Sequence, residues 1–218
     1  AMTTAVHPSR AATRAPAATS SAAAAAPRDD RSLAARYDAV RSHTLRLCDP
    51  LQTEDFVVSS MADVSPTKWH LAHTSWFFET FVLADHAPGY RSPDPRYAFL
   101  FNSYYVQAGE RHCRAQRGLV TRPTVAEVMA YRSHVDTAMH RLLADIGDDA
   151  AHPAASLIEL GLQHEQQHQE LLQTDIKHVF WTNPLRPAYH ATPPSPRSRG
   201  SSSSSTPAGP CAVRAARP

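Results

Sequence analysis

The stretch Leu157–Phe180 reads LIELGLQHEQQHQELLQTDIKHVF, and its centre, Leu162–Glu170, packs two histidines among glutamine and glutamate. The flanks are those of a buried helix; the centre is polar. Positions four apart lie one turn apart on one helical face, so His164 and His168 are neighbours. At about 100° per residue, Leu157, Leu160, Leu171 and Asp175 share that face, which places both imidazoles on an inward stripe. Two buried imidazoles without partners are costly. A metal ion satisfies both, since neutral imidazole ligates iron, zinc or copper. Glu170 points elsewhere around the helix. It reads as a group supporting a ligand or touching a neighbouring helix, not as a ligand.

Working outward, this helix starts near Pro153 and runs to about Phe180, where NPLRP stops it. Four further segments read as helical. From about Asp29 to Cys48, Leu33, Tyr37, Val40, Thr44 and Leu47 recur at helical spacing. A second helix opens at SPTKW, with Ser65 as N-cap and Pro66 at the first helical position, and continues to about Asp85. The aromatic run YAFLFNSYYVQ is short and reads as helix or irregular chain. Thr124 and Glu127 form a capping box for a helix reaching about Ile146, with Val128, Tyr131, Val135, Ala138 and Leu142 as its stripe. Few strand signals and several long helices predict an all-α bundle.

A second histidine pair lies in WHLAH, Trp69–His73. His73 shares a face with Trp69, Phe77 and Thr80, which points it inward. His70 is offset toward the rim. A nitrogen from His73 facing His164 and His168 completes a three-histidine site with open positions for substrate, water or dioxygen. The bland alternative for any one inward histidine is a hydrogen-bonded core residue. HEQQH also satisfies H-E-x-x-H, which makes a zinc protease with Glu165 as general base a rival. Against that rival, no third-ligand extension follows His168, and WHLAH is left unexplained.

Composition bounds the function. The chain has 218 residues, 42% of them apolar, enough for one domain plus tails. Of 22 basic residues, seven arginines sit in the acid-free stretches 1–28 and 190–218. The remaining 15 face 20 acids, so the middle is net acidic and gives no support for nucleic-acid binding. No apolar run spans a membrane. Cys48, Cys113 and Cys211 show no CxxC spacing, which suits a reducing, cytoplasmic setting. Residues 1–28 read as a disordered leader, with a transit peptide as the alternative, and 190–218 as a disordered low-complexity tail. The helical domain occupies 29–189.

Several long words, SPTKWHLAHTSWFFETFVL, FNSYY, GERH, RGLVTRPTVAEVMAYR, LGLQHEQQHQELLQTDIKH and NPLRPAY, occur in that order. Together they resemble the ergothioneine-type sulfoxide synthases, non-haem iron(II) enzymes to which selenoneine and ovothiol synthases are related. The resemblance covers about residues 30–189. It implies a DinB-like four-helix bundle whose Fe(II) is held by His73, His164 and His168; His70 and Glu170, beside these ligands, are expected to support them. It implies that dioxygen is used to join a thiol, or a selenium donor, to the imidazole of hercynine. Gln167, just before the second H-x-x-x-H histidine, matches a position that contacts the histidine-derived substrate. Arg114 and Arg117 match an arginine pair that meets the carboxylates of the thiol, a task suited to guanidinium forks.

The family continues into a formylglycine-generating-enzyme-like domain that carries the catalytic tyrosine. Here the resemblance stops near Tyr189 and a Ser/Pro/Arg/Ala tail follows, as if from a frameshift or a truncated gene model. The chain alone is therefore expected not to turn over, and Tyr104, Tyr105 or Tyr131 is not assumed to replace that tyrosine. An exposed apolar face, and self-association through it, follow from the same reading. The alternatives are a stand-alone DinB-like metal-dependent thiol transferase and a non-catalytic helical bundle.

Overall fold

The computed structural model describes residues 32–105 and 109–190. Four long helices carry the fold: α1 (Leu33–Cys48), α2 (Thr67–Phe78), α3 (Val125–Ile146) and α4 (Pro153–Thr182). α2 runs on through a π turn, Glu79–Leu83, into one further turn, Ala84–His86. Short helical pieces at Thr53–Val57, Tyr97–Leu100 and Arg114–Leu119 punctuate the connections. No strand occurs among the described residues, so the expected all-α class holds. No helix among them is long and apolar enough to cross a membrane. The readings made for the leader and for the tail beyond His190 lie outside the described residues.

Local chemistry sets the helix ends. Ser32 caps α1 by accepting from the Ala35 amide. The Thr124–Glu127 box opens α3 as expected, with the Glu127 carboxylate accepting from the Thr124 amide at 2.6 Å. Gly147, at φ +58°, closes it in the positive-φ region that glycine tolerates. α4 has Pro153 in its first turn and ends just before Asn183, whose backbone is extended ahead of Pro184. Ser65 does not cap α2. Pro66 takes the cap position, one residue later than expected, and the Ser65 hydroxyl accepts from Arg117. After α4 the chain turns back, and the Tyr189 hydroxyl donates to the Leu47 carbonyl at the end of α1.

α2 is the central rod. Every residue from Thr67 to Phe78 is buried, and the helix packs on both α3 and α4. α1 packs on α4 and, less extensively, on α3. Gly161 brings α4 close to α2: a Cβ there would sit 2.5 Å from Cε1 of Phe78. The buried stripe of α4 is rotated from the expected one. It runs through Ala154, Ile158, Leu162, Glu165, Leu172 and Ile176. Leu160 and Leu171, expected inward, are 55% and 40% exposed. His164 and His168 therefore flank the stripe and are half-buried. The centre of the stripe is taken instead by a glutamate.

That glutamate is caged. Glu165 is fully buried and accepts from Arg41 Nη1 at 2.9 Å, Arg132 Nη2 at 2.6 Å and Thr44 Oγ1 at 2.6 Å. Arg41 also donates to Asp136 and Ser75, and Gln169 donates to Thr44 and the Val40 carbonyl. Burial alone would raise the Glu165 pKa; the two guanidinium groups overcome it and hold the carboxyl at about 2. The cage thus joins α1, α3 and α4 through charges that satisfy one another.

Candidate metal centre

His73 projects from the middle of α2; His164 and His168 project from α4 one turn apart. One ring nitrogen from each lies within 4.8 Å of the other two. Nitrogens that share one ion at about 2.1 Å each are at most about 4.2 Å apart, so small ring rotations close the site. The donor set suits a transition metal. Trp69 and Trp76 stack on either side of His73, each with 14° between ring planes. Its Nδ1 donates to the Phe101 carbonyl at 2.6 Å, leaving Nε2 with a free lone pair. His164 lies against Phe77, and its buried Nδ1 has no hydrogen-bond partner. His168 Nδ1 is 3.0 Å from His70 Nδ1, and His70 Nε2 is 3.0 Å from Asp175 Oδ2.

Electrostatics keep these rings neutral. Burial, then the nearby His164, holds His73 well below the ordinary histidine range. Burial pushes His164 down to about 4, and burial with His73 and His70 beside it depresses His168 strongly. Burial also lowers His70, against the opposing pull of Asp175. Neutral imidazole is the ligating form, so nothing need be deprotonated at pH 7 for an ion to bind.

The histidines open on a pocket of about 180 Å³ that also takes in Gln167, Arg114, Arg117, Tyr104 and Tyr105. Arg117 is buried, with its guanidinium 3.4 Å above the Trp69 ring centre. It donates to the hydroxyls of Ser65 and Ser103, its Nε lacks a partner, and it forms no ion pair among the described residues. Burial, then the neighbouring Arg114, lowers its pKa to about 10. Arg114 is exposed and donates to the Tyr104 hydroxyl and the Asp63 carbonyl. A larger cavity of about 500 Å³, beside Leu33, Arg36, Gly147 and Glu159, shares no residue with this pocket and holds no histidine.

Other residues fall differently from the sequence reading. His70 is not at the rim: it is 3% exposed and bridges His168 to Asp175. Glu170 is exposed and outside the pocket; its backbone carbonyl accepts from Thr174. Glu165 is directed into the arginine cage, where it cannot serve as the base of a zinc protease. Tyr131 is buried beside Tyr97 and Phe101 and does not line the pocket. Sequence reasoning put Asp175 on the histidine face without giving it a partner. It had no signal for the Phe101 carbonyl, a backbone acceptor supplied by a distant connection.

The model of the DinB superfamily matches residues 36–172. The chain belongs to the DinB superfamily. That span covers α1 from Arg36 onward, α2, α3 and the part of α4 that carries the two histidines, so the three-histidine cluster lies wholly within the family domain. No curated protein matches this DinB-superfamily chain.

Proposed function

We propose that this chain is the iron(II)-binding domain of a sulfoxide synthase that joins a thiol, or a selenium donor, to the imidazole of hercynine using dioxygen. The observation that carries the reading is one pocket uniting three neutral imidazoles with the buried Arg117 guanidinium, which forms no ion pair among the described residues. His73, His164 and His168 hold Fe(II) from one side, and the pocket occupies the other. Bound iron supplies a binding position for the sulfur and for dioxygen and the electrons that activate the latter. Arg117, already desolvated and without a carboxylate, matches an anionic group on the thiol substrate, and Arg114 at the mouth adds a second positive charge. The Gln167 amide, one residue before His168, both donates and accepts, as contact with a histidine-derived substrate requires. Holding both substrates beside one ion makes their encounter local.

The words shared with the sulfoxide synthases support the same choice, and the caged Glu165 argues against proteolysis. A second domain supplies the catalytic tyrosine and closes the pocket in this reading. Val57, Val58, Met61 and Leu119 are exposed, on two segments that meet where Gly118 packs against Ser59. They are the apolar surface such a domain, or a second copy, would cover.

Anaerobic titration tests the reading. One Fe(II) per chain is expected, with binding abolished by His73→Ala or His168→Ala. Product analysis with hercynine, a thiol and oxygen, with and without a supplied formylglycine-generating-enzyme-like domain, tests the chemistry. Iron uptake without any hercynine sulfoxide in either mixture rejects the proposed reaction and leaves the metal site standing.

A further inference from the structure

We propose that Asp175 and His70 are positioning residues that fix the neutral tautomer of His168, so that its Nε2 lone pair is the one offered to the metal. The inference rests on the three-histidine metal reading, and it follows from donor and acceptor counting along one chain of contacts.

The chain begins at Asp175. Its Oδ2 receives the Ser65 amide at 2.9 Å and lies 3.0 Å from His70 Nε2. An ionised carboxylate only accepts, so His70 carries its proton on Nε2. A neutral His70 then has a lone pair on Nδ1. That atom is 3.0 Å from His168 Nδ1. Two nitrogens at this distance need one proton between them, and it belongs to His168. His168 Nε2 is left bare.

His73 reaches the same state by a different route, since its Nδ1 donates to the Phe101 carbonyl. Two ligands on two helices thus present the same nitrogen, one through a backbone carbonyl and one through a carboxylate–imidazole pair. His164 has no such device: its Nδ1 is buried and unpartnered. The same contacts would fix this tautomer in a purely structural trio; the metal role is read instead from the affinity of the His70 variants. Hydrogen bonding to the far nitrogen fixes ring orientation and raises ligand basicity, which is why the loss of such partners weakens metal binding.

The test uses the full chain. In metal-free protein labelled with nitrogen-15 at histidine, long-range proton–nitrogen spectra should show His168 and His73 protonated at Nδ1 and His70 at Nε2. A proton on Nε2 of His168 overturns the proposal, whether or not any metal binds. Cobalt(II) titration then reads the consequence. His70→Leu should lower Co(II) affinity about 10–100-fold. His70→Gln, whose amide can accept from His168 and donate to Asp175, should restore affinity close to that of the wild type. Equal affinity in all three proteins overturns the proposal. If the wild type takes up no Co(II), the metal reading fails, and the tautomer spectra still decide the relay.

Discussion

Two buried polar clusters sit on neighbouring faces of α4, built from interleaved residues of one nine-residue run. Glu165 and Gln169 turn into a cage with Arg41, Arg132 and Thr44, where opposite charges and hydrogen bonds complete one another. His164 and His168 turn to the other side, where His73 and His70 meet them and one ring nitrogen of each of the three ligand histidines lies within 4.8 Å of the others. With Asp136 on Arg41 the first cluster balances two guanidinium groups against two carboxylates, although Arg132 Nε is left without a partner; the second has lone pairs left over. Polar groups in a helix centre can therefore serve opposite ends. One set locks helices together, and the other leaves coordination capacity for something outside the chain.

The comparison can be broken most forcefully at Glu165. Glu165→Ala leaves Arg132 buried without its carboxylate and Arg41 with Asp136 alone, at an expected cost of about 3–5 kcal/mol in urea unfolding. A near-zero change would mean that the cage is not the lock described. Next comes the histidine side. Metal at 100 times its Kd should stabilise the wild type by about 2.7 kcal/mol, seen as a raised melting temperature. His73→Ala should melt at the same temperature with and without metal. If it still gains stability, the ligand set is wrong.

The two clusters should also part in pH. His164 is held at about 4 in the folded chain against 6.5 for the free group. Below 6.5 the unfolded state binds a proton that the folded state refuses, so metal-free stability is full above 6.5 and falls as pH drops toward 4. This one histidine accounts for about 2 kcal/mol between pH 7 and 5. Glu165 behaves oppositely in range: its folded pKa lies near 2 against 4.5, so its contribution is intact above 4.5 and is lost only between 4.5 and 2. Denaturation midpoints across this range should show two separate declines; bound metal, which keeps protons off the folded rings, should raise stability throughout without reducing the upper decline. The smallest effect is expected at Glu170, exposed on the same run: Glu170→Ala should change stability by less than about 0.5 kcal/mol and leave metal affinity unaltered.

Periodicity, the Thr124–Glu127 box and the proline and glycine stops were enough to read the four long helices and the bundle class. The histidines were legible because their spacing repeats the helical turn. The rotation of α4 was not. Leu160 and Leu171 are as apolar as Ile158 and Leu172, and hydropathy alone cannot tell which pair faces the core once a glutamate sits at its centre. Arg41 and Arg132 carried no sign of burial either, since an arginine on a helix is ordinarily solvated; only the partner across the bundle makes it a core residue. His70 was misplaced for the same reason: its neighbours Asp175 and His168 belong to another helix. Ser65 lies one residue before the cap, and its hydroxyl accepts from Arg117, a partner more than fifty residues away that local sequence does not signal.

Gly161 lies about one turn before His164 and touches the Phe78 ring, which is about one and a half turns beyond His73. A side chain there would wedge the two ligand-bearing rods apart from beside the chelate. The bite of the centre, the separation across which it can grip a cation, is thus limited by a missing methyl group rather than by any residue that touches the ion.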